Sequence, residues 1–83
     1  MTMIRSDEYR RIEAALAHDP IIIELAKELH KTGEMISNLT HEDGTPIFNF
    51  MEACRREYKA RGGKIEGHIG APARGVLAVM RNL

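Results

Sequence analysis

The chain has 83 residues, 43% of them apolar and 29% charged, and carries no net charge, which places it among single globular domains rather than disordered chains. Cys54 is the only cysteine, so there is no disulfide framework, and a reducing compartment is expected. No apolar run approaches the ~18 residues of a membrane span, and Met1 to Arg5 lead straight into Ser6, Asp7 and Glu8 without the apolar segment of a signal peptide; a soluble, cytoplasmic protein with no membrane partner follows.

A chain this short buries only a little over ~60% of its unfolded surface, and pairing into a homodimer is a common remedy. Tryptophan is absent, and Tyr9, Phe48, Phe50 and Tyr58 are the only aromatics. The core must therefore rest on Ile, Leu, Met and Ala.

In chain order, Ser6 suits an N-cap, with Asp7 and Glu8 in the first turn. Tyr9, Ile12 and Leu16 then follow at helical spacing and predict a first helix over 7–17. Asp19-Pro20 restarts the chain as a cap followed by a first-turn proline. Ile22, Leu25, Ala26 and Leu29 form a stripe that carries a second helix to about His30. The β-branched run Ile21-Ile22-Ile23 is too short to outvote that stripe. Thr32 is read as the cap of a short third helix with Met35, Ile36 and Leu39 inside, and His41 to Gly44 as a turn. Thr45-Pro46 is read as another cap and proline, opening a fourth helix. Its stripe of Ile47, Phe50, Met51, Cys54 and Tyr58 runs to about Ala60 and stops at Gly62-Gly63. Lys64 to Gly70 fits a short strand or a single helical turn. Ala71-Pro72 opens a fifth helix with Val76, Leu77, Met80 and Leu83. The expected fold is all-α, a compact four- to five-helix domain spanning 1–83.

Residues 20–39 match a helix-turn-helix pattern. Ala26 fills its small position, Leu25 and Leu29 face inward, and Ile36 and Leu39 fill the later apolar slots. The second helix would then present Thr32, Gly33, Glu34, Ser37 and Asn38, of which Asn suits bidentate contact with adenine and Ser and Thr suit bases or phosphates. His30 stands where the turn usually has Gly, Lys31 where an apolar residue is usual, and Glu34 would face phosphates. A plain helical hairpin explains the same spacing. A weaker match covers Ile65 to Val79, with Gly70 at the turn, Glu66 in the small position and Gly75 in the would-be recognition helix.

Residues 1–46 hold five basic residues against nine acidic ones, and residues 47–83 hold seven against three. On the fourth helix, Arg55, Arg56 and Lys59 lie about 80° to 180° from the centre of the apolar stripe, with Phe48 in the same sector. That flank suits phosphates or an acidic protein surface, unless it is only a solvated face with Phe48 covered by the C-terminal segment.

Catalysis and cofactors find no support. His18, His30, His41 and His68 show no metal-ligand spacing with Cys54. Cys54 sits on the apolar stripe as a core thiol, and no phosphate-binding glycine loop is present. The expectation is a non-enzymatic, phage- or plasmid-sized DNA-binding transcriptional regulator. Lys31, Thr32, Glu34, Ser37 and Asn38 would lie at the groove, and Arg55, Arg56 and Lys59 on phosphates. The rival is a protein-binding adaptor or inhibitor working through Phe48, Arg55 and Lys59, or through the acidic face of the first two helices. Zero net charge favours the rival, because small DNA-binding domains are usually basic.

Overall fold

Capping chemistry sets where the helices begin and end. The computed structural model describes residues 6–64 and 69–83. Over these the chain forms α1 (Ser6–Ala17), α2 (Pro20–Lys31), α3 (Ile36–Leu39), α4 (Phe48–Ala60) and α5 (Ala71–Met80). Among the described residues there is no strand, only one antiparallel bridge between Thr40 and Pro46. The all-α expectation holds. The Cα radius of gyration is 12.0 Å, as in a single packed body of this length.

Asp19 behaves as its sequence context predicts. It is extended (φ −74°, ψ 125°), and its Oδ1 accepts a hydrogen bond from the Ile21 amide at 2.9 Å. Pro20 follows in the first turn, where its missing N–H costs nothing. α2 and α4 then end in the same way. Gly33 (φ +79°) donates to the His30 carbonyl while Glu34 donates to Leu29. Gly62 (φ +93°) donates to Lys59 while Gly63 donates to Tyr58. Both are Schellman ends, with glycine at the left-handed position that a Cβ disfavours.

Four boundaries differ from the sequence reading. Thr32 caps the C-terminus of α2, not the start of α3: its hydroxyl donates back to the Leu29 carbonyl at 2.9 Å. α3 is one turn long and starts after Met35, which lies outside the helix and is 62% exposed. Thr45-Pro46 does not open α4. Thr45 donates to Asp43 Oδ1 through both amide and hydroxyl, and Pro46 is buried in the bridge to Thr40. Helix α4 therefore begins two residues later, at Phe48, after Ile47. α1 starts at Ser6 itself. The expected inward Tyr9 side chain and the choice between strand and turn at 65–68 lie outside the described residues. Leu83, expected on the last stripe, follows the end of α5 and is half-exposed.

The core is built around α5, which packs against α1, α2 and α4. Ala73, Val76, Leu77 and Met80 meet Ile22, Leu25 and Ala26 of α2 and Phe50, Cys54 and Tyr58 of α4. Small residues let α5 sit this deep. A methyl group on Gly75 would lie 2.7 Å from Cβ of Leu16 and 3.3 Å from Cγ2 of Ile22, closer than packed carbons tolerate. No polar or charged side chain is buried among the described residues. Tyr58, the one core residue with a hydroxyl, carries it to the core's edge and donates to Asp19 Oδ2 at 2.6 Å, so one aspartate both caps α2 and fastens α4.

Candidate docking surface on helix α4

A helix buried along one stripe leaves the opposite face to solvent. On α4 the inward residues are Phe50, Cys54 and Tyr58. At about 100° per residue, Phe48, Glu52, Arg55 and Lys59 line up on the far side, with Arg56 at its margin. All five are exposed, Phe48 by 54%, so the C-terminal segment does not cover it. Glu52, Arg55, Arg56 and Lys59 edge a shallow concavity of about 420 Å³. Among the described residues, Arg55, Arg56 and Lys59 form no ion pair. The flank thus holds three cations, one carboxylate and an aromatic ring, all open to a partner.

The side of α4 nearer α2 is different. Leu25 and Leu29 of α2 face Phe50, Ala53 and Cys54 across an apolar groove of about 270 Å³. Arg61 closes one end. Its Nη1 donates to Glu24 Oε1 at 2.9 Å and Glu28 Oε2 at 2.7 Å, and its Nη2 donates to Glu57 Oε1 at 3.2 Å. The hydrogen bond from Arg61 holds the Glu28 carboxyl below its usual value, and the same bond raises the guanidinium. Three carboxylates share one guanidinium, so the rim stays negative. The Cys54 thiol lies in the groove wall, and burial pushes it up to about 12, so it stays a neutral thiol at physiological pH. The Glu57 and Arg61 pairing was legible as an i,i+4 spacing; the long-range partners Glu24 and Glu28 were not.

The residues expected to read DNA are placed unevenly. Lys31 is the last residue of α2, and Thr32 and Gly33 form its terminal turn. Glu34 is half-buried, while Ser37 and Asn38 are exposed on the single turn α3. The second helix of the expected helix-turn-helix is thus four residues long. Thr32 opens onto the groove beside Glu28, whereas Arg55 and Lys59 lie about 180° round α4 from the groove-lining side. The structure therefore does not bring the phosphate-binding set onto the face that carries Thr32. Of the weaker match at 65–79, residues 65–68 lie outside the described residues; Gly70, Ala71 and Val76 are buried, and α5 is the central helix of the core, with no free face to enter a groove.

Among the described residues, no three of His, Cys, Asp and Glu stand close enough to hold a metal, and no helix is long and apolar enough to cross a membrane. No protein-family model matches the chain, and no solved structure matches it. It is similar to the Gene 80 protein of Mycobacterium phage L5, 43% identical over 83 residues that cover 98% of this chain and 89% of that protein. Identity at that level across nearly the full length of both chains means a shared fold and ancestry, and the chain belongs to the family of the mycobacteriophage Gene 80 protein.

Proposed function

We propose that the protein is a non-catalytic binding module that engages an acidic protein surface through the outer face of α4. The observation that supports this most is Phe48, a large aromatic 54% exposed on the same stripe as Arg55 and Lys59. Binding energy at protein interfaces concentrates in aromatic and Arg anchors. Phosphate binding needs the cations but gives the ring no role. Zero net charge also fits a protein partner better than a nucleic acid.

Duplex DNA is the second reading, favoured by the exposure of Lys31, Thr32, Ser37 and Asn38. Two measurements separate the readings. A groove binder associates with random duplex DNA at low salt, because counterion release requires no particular sequence. The adaptor reading expects no such binding at micromolar protein. It expects host-lysate partners that wild type retains and a Phe48→Ala, Arg55→Glu variant loses. Salt-sensitive binding to random duplex, with the same lysate partners held by wild type and variant, reverses the order of the two.

A further inference from the structure

The two faces of α4 complement each other. The outer stripe carries Arg55, Arg56 and Lys59 against Glu52, with Phe48 projecting. The groove beside α2 is apolar inside, with Glu28, Glu57 and Arg61 in its lining and Glu24 beyond them as a further partner of Arg61. Formal charge is plus two on the stripe and minus two on the carboxylate cluster around Arg61, and the groove, about 270 Å³, has room for an aromatic ring. The two features lie about 180° apart around one helix, so no molecule can fill its own groove with its own stripe. We infer that the acidic partner of the stripe is the α2–α4 groove of a second copy of this chain, with Phe48 inserted between α2 and α4 and Arg55 and Lys59 facing the carboxylate rim.

This rests on the reading of α4 as the working face and gives that face its partner. The contact is head-to-tail, because each copy offers one stripe and one groove. Head-to-tail contacts do not close after two copies unless the rotation between them forms a ring. The pairs are exposed, so salt weakens the contact.

The test is mass against concentration by light scattering at low and high salt. It uses wild type, a stripe variant (Phe48→Ala with Arg55→Glu) and a groove variant (Ala53→Arg). Ala53 is exposed at the groove, and Arg there fills the slot and weakens its negative charge while keeping a good helix former. Circular dichroism melts verify that each variant folds. Wild type is expected to grow beyond a dimer with concentration at low salt and to fall back at high salt. Each variant alone stays monomeric. Mixed, they form a heterodimer and stop, because one intact stripe and one intact groove remain. A wild type monomeric throughout overturns self-docking but leaves the lysate test of the stripe standing. A stripe variant that associates like wild type removes both self-docking and the stripe as working face. Variants that stay monomeric when mixed, beside a wild type that associates, show a symmetric contact and also overturn the head-to-tail arrangement.

Discussion

α4, of 13 residues, and α5, of 10, use their residues in opposite ways. α5 uses Ala71, Ala73, Gly75 and Val76 to approach three neighbours at once, and seven of its ten residues are buried. α4 buries three of thirteen, Phe50, Cys54 and Tyr58, packs Met51 partly against the core, and gives most of the rest to solvent and to the groove. A helix that serves as a core has no surface left for recognition. A helix held along a single stripe keeps its far face free to change without disturbing the fold. Stability is therefore expected to depend on α5, and binding on α4.

The comparison is broken most sharply inside α5. Leu77→Ala removes a side chain only 1% exposed and leaves a cavity, costing about 2–5 kcal/mol, a large fraction of the stability of a small domain. Urea denaturation should show a markedly lower midpoint with little change in slope; a midpoint close to wild type would remove α5 from the centre of the fold. Next comes the link between α2 and α4. Asp19→Ala loses both the cap and the bond from Tyr58, about 2 kcal/mol together, whereas Tyr58→Phe loses only the second, about 1 kcal/mol. Equal losses in the two variants would mean that the cap contributes nothing.

A smaller effect belongs to Arg61. Glu28 has its folded value held below the ordinary 4.5, so its contribution is present above that value and is lost as pH falls through the lower folded value. Arg61→Gln should be slightly less stable than wild type near neutral pH, and the two melting curves should converge as pH falls through the lowered folded value of Glu28. A difference that persists in acid would assign Arg61 a packing role instead. Phe48→Ser is the least costly: a half-exposed residue in the first turn of α4 should change stability by no more than about 0.5 kcal/mol. A larger loss would mean that the outer face belongs to the fold after all.

The sequence was most legible where a residue has one structural use. Asp19-Pro20 and Gly62-Gly63 marked ends that the structure keeps. Threonine is ambiguous, because its hydroxyl can accept from a helix start or donate to a helix end. Thr32 was read the first way and acts the second, as does Thr40, which donates to Ile36 at 3.0 Å. The better guide was its neighbour Gly33, which ends α2 as Gly62 ends α4. Reading Gly33 as an exposed helix residue produced a second helix several residues too long. Gly63 had a reason beyond helix termination: its backbone lies against the Tyr58 ring, where any Cβ would sit about 2.5 Å from the ring carbons. The stripe of Phe48, Arg55 and Lys59 was recovered from periodicity alone, since it depends only on helical spacing. The groove opposite was not, because no single segment contains both its walls.

Cys54 gives this small protein a clock of its own. Its thiol is neutral and lies in the groove wall with the residue only 5% exposed, so an alkylating reagent reaches it chiefly while α2 and α4 are momentarily apart. With one cysteine in the chain, every modification event counts one such separation. The modification rate, divided by that of an unstructured peptide at the same pH, gives the fraction of time this seam spends open. An occupant of the groove would slow that rate in proportion to its occupancy, so the native chain can report on its own partner without any added label.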